Sequence, residues 1–282
     1  MRGLLKLGTA RLKTTGIDQP RAEARLLLGH VLGRDGRMLE LAADDPLHAP
    51  RLSEYEALLA RRAKGEPVAY LTGFKAFYEH DFRVTPDTLI PRPDSETLVR
   101  MALDHLPMGA EGTIADMGTG SGCLLLSVLA ARPGLSGVGS DISGAALTVA
   151  ADNGARLGLA DRARWLEGDG LAPLETARPA GGYALVLSNP PYIETPALAG
   201  LMRDVRDFEP RSALDGGPDG LSFYRQLAQG APGLLAPSGL LAVEVGVDQA
   251  GPVAALFAGA GATDTARIPD LGGIDRVVCA RF

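Results

Sequence analysis

The 282-residue sequence predicts an α/β protein: a mostly parallel sheet wound with helices and closed by an antiparallel terminal strand, preceded by a small helical bundle and a β-hairpin linker. Three observations carry this. The first seventy-odd residues place apolar side chains at helical spacing. Residues 74–93 change to alternating aromatic and polar residues that run into the proline-rich "LIPRP". From residue 94 onward, short apolar runs alternate with helical segments, which is the pattern of βαβ units. The expected division is a helical substrate-docking domain over 1–73, a hairpin and proline-rich linker over 74–93, and a catalytic domain over 94–282.

In the first region, "IDQPRAEARLLLGHVLGRDG" predicts a helix with Asp18 as N-cap, Pro20 in the first turn and Gly33 as its stop. "PRLSEYEALLARRAKGEP" predicts a second, with Leu52, Tyr55, Leu58 and Leu59 on one side and Gly65 closing it. Such amphipathic helices need one another to bury their apolar faces. After the linker, a helix is expected near 95–106. Strands follow at 113–117, 136–140, 163–168, 183–188 and 239–245, with a terminal pair in "ARIPDLGGIDRVVCARF".

Bulk properties narrow the function. No apolar run reaches the roughly 18–20 residues that span a bilayer, and the start lacks the apolar segment of a secretory signal. A cytoplasmic protein without a membrane partner is expected. Cys123 and Cys279 are far apart, and His30, His48, His80 and His105 have no ligand spacing, so no metal is expected. Residues 1–93 carry 15 Lys+Arg against 12 Asp+Glu, and the remainder 13 against 22. A catalytic region at −9 is poorly suited to gripping a phosphate backbone, so no stable nucleic-acid complex is expected.

The chemistry starts at "TIADMGTGSGCLLLS", where Gly118, Gly120 and Gly122 follow the first strand of the sheet and precede a helix. Glycines there let a ligand approach the backbone and present N–H groups at a helix start. The pattern is D-x-G-x-G-x-G, opened by Asp116. Cys123 breaks the dinucleotide spacing, and no lysine follows as a phosphate loop requires. Asp141 ends the second strand, placed to accept from both hydroxyls of a ribose. Asp169 ends the third, placed to accept from an adenine amino group. Three acids at three successive strand ends around one glycine loop point to a nucleoside without a polyphosphate, with S-adenosylmethionine the natural candidate. The arrangement resembles the class I methyltransferase fold, Rossmann-like, over roughly residues 110–282.

The fourth strand stops on Asn189-Pro190-Pro191-Tyr192. Methyl transfer to a planar nitrogen is hard because its lone pair is delocalised, so both N–H groups need acceptors. The Asn189 side-chain oxygen supplies one and the Pro190 carbonyl the other. The prolines remove competing N–H donors and fix the backbone, and Tyr192 is expected to lie against the flat face of the reacting group. This clamp serves adenine or cytosine amines and a glutamine amide alike.

Longer stretches choose between them. "PVAYLTGFKAFYEHDFRVTPDTLIPRPDSETLV", "DMGTGSGCLLLS", "SNPPYI", "DVRDFEPRSALDGGPDGLSFYRQL" and "PDLGGIDRVV" resemble the protein-(glutamine-N5) methyltransferases that act on class I peptide chain release factors. The resemblance implies methylation of the glutamine in the release factor's Gly-Gly-Gln loop by S-adenosylmethionine, with S-adenosylhomocysteine as product; a monomer is expected. It implies a cofactor site of Leu89, Pro91, Gly118, Thr119, Gly120, Ser121, Gly122, Asp141, Ile142, Asp169, Gly170 and Asn189, with Asn189, Pro190, Pro191 and Tyr192 holding the glutamine. A ribosomal-protein glutamine methyltransferase would share the fold and clamp, and a nucleic-acid N6-adenine or N4-cytosine methyltransferase would share the clamp. "PRPD" followed by Ser95 and Glu96 favours the release-factor reading. Gly170 stands where the family often carries a bulky residue, and Ser95 where threonine is common. Three smaller features stay open: Glu209, Arg211 and Asp215 as a closing loop or a charged turn, Arg92 as a solvated or paired cation, and Cys123 as a reactive or a core thiol.

Overall fold

In the computed structural model the described residues are 2–34 and 49–282; His48 lies outside them. Contacts divide the chain into two units, one of residues 1–74 with 202–208, the other of residues 75–201 with 209–282.

The first unit holds helices α1 (Arg2–Lys13), α2 (Pro20–Leu32), α3 (Ala49–Ala63), α4 (Val68–Thr72) and α9 (Arg203–Phe208). Leu12, Leu27, Leu28, Tyr55, Leu59 and Leu71 form its core. Gly8 lets α1 approach closely, since a Cβ there would lie 2.1 Å from the Tyr55 hydroxyl. Gly33 ends α2 in the left-handed conformation (φ 62°), as expected. Its N-cap position is Gln19, without a side-chain cap bond, so Asp18 is not the cap. Proline at the first turn already supplies the φ and removes an orphan N–H, which leaves little for a cap to do. Arg62 is almost fully buried between Glu23 (Nε to Oε2, 2.5 Å) and the carbonyl of Gly65 (3.0 Å).

The second unit begins, at residue 75, within a hairpin of β1 (Phe74–Phe77) and β2 (His80–Arg83). Phe77 and Phe82 are buried in the core formed with α5 (Glu96–His105) and α6 (Cys123–Ala131). The sheet contains β3 (Gly112–Met117), β4 (Leu135–Asp141), β5 (Ala163–Glu167), β6 (Tyr183–Ser188), β7 (Leu235–Glu244), β8 (Asp264–Pro269) and β9 (Asp275–Arg281), in the order β5-β4-β3-β6-β7-β9-β8. All contacts from β5 through to β7 are parallel, whereas β9 runs antiparallel to both β7 and β8. The expected antiparallel closure is present. β7 begins earlier than predicted because its first residues pair across an irregularity: β6 advances from Tyr183 to Leu185 while β7 advances from Leu235 to Leu240. Pro237 falls in that bulge, where a missing donor is tolerated.

One face of the sheet is covered by α5 and α6 and the other by α8 (Ala172–Thr176), α10 (Ser222–Leu234) and α11 (Ala250–Gly259). α7 (Gly144–Arg156) follows β4, and the Ser143 hydroxyl caps it by accepting from Ala146 N at 3.1 Å. The strand order reverses around β3, whose neighbours are β4 and β6. A cleft therefore opens at the carboxyl ends of β3, β4 and β6, where an open α/β sheet binds ligands.

Candidate active site

The glycine loop is built first. Gly118, Gly120 and Gly122 have φ of 70°, 54° and 77°, a region that non-glycine residues avoid. A Cβ on Gly118 or Gly120 would meet nothing within 4 Å, so this surface faces open space; on Gly122 it would press on Trp165, Leu126 and Ala150. Gly122 therefore serves packing and does not line the cavity. The expected free amides are largely engaged: Gly118 N and Thr119 N donate to Ser140 O (2.8 and 2.9 Å), Gly122 N to Thr119 O (2.8 Å), and Gly120 N to Asp141 Oδ2 (2.9 Å). Such a loop is no phosphate cradle. Asn153, which the sequence did not single out, braces it from below, donating to Ser121 O (2.9 Å) and Arg83 O (3.0 Å) and accepting from Arg83 N (2.7 Å).

The acids behave differently. Asp116 is fully buried; Oδ2 accepts from the Thr119 hydroxyl at 2.6 Å while Oδ1 has no partner among the described residues. Burial pushes its carboxyl up to about 7, against the pull of the Thr119 hydrogen bond. Asp141 accepts from Gly120 N through Oδ2 and from Ser143 N through Oδ1 (2.9 Å each), which fixes its carboxylate at the rim of the cleft. Asp169 is exposed, two residues beyond β5.

At the end of β6, Asn189 Nδ2 donates to Ser95 Oγ at 3.2 Å. Among the described residues no donor is bonded to Asn189 Oδ1 or to the Pro190 carbonyl. Ser95 sits at the N-cap position of α5 yet makes no cap bond.

Tyr192 departs from expectation. Its ring does not line the cavity; it packs against the core on the α10–α11 side of the sheet and close to Gly246, where a Cβ would lie 3.1 Å from its Cδ2. Burial pushes its hydroxyl up to about 12. The reason is the backbone: Gln249 Nε2 holds the Tyr192 carbonyl at 3.0 Å, and Gly246 leaves room for the ring beneath.

The 209–217 strip is no loose flap. Ile193 N donates to Leu214 O (3.1 Å), Gly216 N to Ile193 O (2.8 Å) and Thr195 N to Gly217 O (2.9 Å), while Thr195 Oγ1 donates to Asp215 Oδ1 (2.6 Å). Arg211 pairs with Asp215 (3.2 Å) at the surface. Buried Glu209 accepts from Ile90 N (3.2 Å) and from Arg92 (2.5 Å), tying the "LIPRP" stretch to this strip. Arg92 is thus a paired cation.

These pieces enclose a cavity of about 540 Å³. Leu89, Pro91, Gly118, Thr119, Gly120 and Ser121 line it, as do Asp141, Ile142, Asp169 and Gly170, and Asn189, Pro190 and Pro191 complete the wall. Ser95 and Phe223 line it as well. Phe223 lies one turn before Gln226, whose Oε1 is 3.2 Å from a Cβ built on Gly170, so α10 supplies an aromatic wall near the position where the sequence has only glycine. Cys123 also lines the cavity, half-buried and packed against the core, and burial pushes its thiol up to about 12, so it is not a reactive thiolate.

Fold and site together define a class I methyltransferase. The family model described as "PrmC N-terminal domain" matches residues 3–73, and "Methyltransferase small domain" matches residues 94–202. A release factor glutamine methyltransferase of Rhodospirillum rubrum is 46% identical over 278 residues, covering 99% of this chain and 84% of the relative. One from Moorella thermoacetica is 44% identical over 281 residues, covering 99% and 98%. The chain belongs to the release factor glutamine methyltransferase family. Among solved structures, the hMettl16 catalytic domain in complex with MAT2A 3'UTR hairpin 6 superposes with a TM-score of 0.57 over 83% of this chain and 82% of that one, at 14% identity. The N-terminal domain of human METTL16 in complex with SAH gives 0.54 over 71% and 75%, at 15% identity. At that identity they speak for the fold alone. No helix among the described residues is long and apolar enough to cross a membrane.

Proposed function

We propose that this protein transfers a methyl group from S-adenosylmethionine to the side-chain amide nitrogen of the glutamine in the Gly-Gly-Gln motif of class I peptide chain release factors. The observation that carries the reading is the pair of uncommitted acceptors, Asn189 Oδ1 and the Pro190 carbonyl, on the wall of a cavity floored by the glycine loop.

The residues suit this cofactor. Asp141 keeps lone pairs for a ribose diol after accepting its two backbone N–H bonds. Asp116, fully buried behind the cavity wall, holds the Thr119 hydroxyl through Oδ2 and so shapes the loop on which the cofactor rests. The engaged loop amides suit a ligand without phosphate. Ile142, Asp169, Gly170 and Phe223 form the adenine end, and Leu89 and Pro91 the opposite wall. When bound, S-adenosylmethionine supplies an electrophilic methyl carried on a sulfonium.

The chain's own part is positioning. Asn189 and Pro190 accept the two N–H groups of the glutamine amide, which turns the nitrogen lone pair out of conjugation and toward the cofactor side. The methylated nitrogen is briefly cationic and releases one proton to water, so no strong base is needed. The unit of residues 1–74 with 202–208 is the docking module for the folded protein substrate, because a tripeptide alone offers too little surface to bind.

The test is incubation with S-adenosylmethionine and a folded release factor, with the product read by intact mass and peptide mapping. One methyl is expected on the Gly-Gly-Gln glutamine. Asn189→Ala is expected to lower the rate by about 10²–10³, the usual loss for one preorganised group at a developing charge. Methyl gain on duplex DNA or a ribosomal protein, with none on the release factor, would overturn the reading.

A further inference from the structure

One buried group near the clamp is unexplained by this mechanism. Glu244 ends β7, and the register pairs Ser188 with Val243, so Glu244 and Asn189 stand side by side at adjacent strand ends. Its side chain is 1% exposed, and Oε2 has no hydrogen-bond partner among the described residues. No cation is dedicated to it: Arg276 on β9 contributes its charge but is held by Asp270 and Asp94 (3.2 Å each). Removing a carboxylate from water without a partner is costly, so the position needs a reason.

We propose that Glu244 is a positioning residue that sets the polarity of the Asn189 clamp through the Ser95 hydroxyl, an inference that rests on the role of Asn189 proposed above. An asparagine amide can present either its oxygen or its NH2 to a ligand, and only the oxygen accepts from a glutamine amide. Ser95 Oγ holds Asn189 Nδ2 at 3.2 Å, but a hydroxyl can equally donate, which would favour the flipped amide. Ser95 is forced to accept from Asn189 when its own proton is given elsewhere. The Ser95 and Tyr192 hydroxyls both favour the charged form of Glu244, and the unused N-cap of α5 leaves Ser95 free to turn its proton toward that carboxylate. An ionised Glu244 only accepts, so the proton order runs from Asn189 to Ser95 to Glu244. A protonated Glu244 no longer imposes that order.

Burial pushes Glu244 up to about 7, against the two hydroxyls and Arg276, with Asp94 pushing the same way as burial. The other titratable groups facing it are Tyr192, Tyr224 on α10, whose hydroxyl donates to the Glu244 carbonyl at 2.9 Å, and Cys123 at the start of α6. The three are neutral across the window, so turnover should rise as Glu244 ionises.

The experiment measures kcat on a folded release factor from pH 5.5 to 8.5 with both substrates saturating. Saturation keeps Asp116, which acts on cofactor holding, out of the readout. Wild type is expected to show an acidic limb bending near pH 7. Glu244→Gln is expected to be at least tenfold slower at pH 8 and flat with pH. Ser95→Ala is expected to lose at least tenfold in kcat with the KM for S-adenosylmethionine unchanged, and Ser95→Thr to restore most of it. S-adenosylhomocysteine binding by calorimetry verifies that each variant is folded; should Glu244→Gln fail this check, the Ser95 pair decides alone. An acidic limb persisting in Glu244→Gln, or Ser95→Ala within twofold of wild type, overturns the inference while transfer by wild type leaves the proposed function standing. Full activity in Asn189→Ala overturns both.

Discussion

Asp141 organises the cleft before any ligand arrives, because its two oxygens hold Gly120 N and Ser143 N at 2.9 Å each. An amide of the same shape would turn a donor toward one of those N–H groups. Losing one such charged hydrogen bond removes about 1.5–3 kcal/mol. Asp141→Asn is therefore expected to weaken S-adenosylhomocysteine binding by roughly tenfold to a hundredfold in calorimetry; an unchanged affinity would contradict the role. Residues of this kind were legible in the sequence, since Asp116, Asp141 and Asp169 each follow an apolar run and one glycine loop fixes which ends of the strands matter. Ser95 and Glu244 were not. Ser95 is 94 residues from Asn189, and a serine ahead of a helix reads as a cap. Tyr192 stood out in the motif, but that its ring turns to the core and away from the cavity was not legible, because this depends on the space left by Gly246.

Elements explain why the clamp holds its shape. The backbone after Asn189 is strapped to the 209–217 strip by paired main-chain bonds, and Gly216 sits where a Cβ would come within 2.7 Å of Tyr192 Cα and 2.8 Å of the Pro191 carbonyl. Those are backbone atoms and cannot swing aside. Gly216→Ala should therefore displace the strap, and a shift near 1 Å at a reacting group costs on the order of 10²-fold. The expected outcome is a kcat lowered to that extent with S-adenosylhomocysteine binding retained. Equal loss of binding would mean that the strip supports the cofactor site instead. Proline and glycine in "FEPRSALDGG" marked a loop in the sequence, but the ion pair of Arg92 with buried Glu209 joins segments 117 residues apart. No local spacing announces such a link. The early start of β7 was hidden for a related reason: Pro237 argues against a strand unless a bulge accommodates it.

At the scale of the whole molecule, the site is installed against the stability of the fold. Glu244 has an ordinary value of 4.5 and is pushed up to about 7 in the folded protein. Between those values the unfolded chain has released the proton and the folded chain still holds it. Folding is therefore favoured by acid over this window, and the stability is lost as pH rises from about 4.5 through about 7. The loss is on the order of 3 kcal/mol at pH 8. Asp116, pushed from 3.8 to about 7, titrates in the same sense but is present in both proteins of the comparison below, so it cancels. Glu244→Gln keeps the shape and removes the ionisation. In the absence of ligand its unfolding midpoint should exceed that of wild type by several degrees at pH 8, with the difference shrinking to nothing near pH 4.5. The same variant is the one expected to be slow and pH-independent in turnover. A variant that is more stable where it is less active is the signature of a group retained for function. A midpoint difference that is constant with pH, or lower stability of the variant at pH 8, would instead mean that Glu244 is a satisfied structural acid.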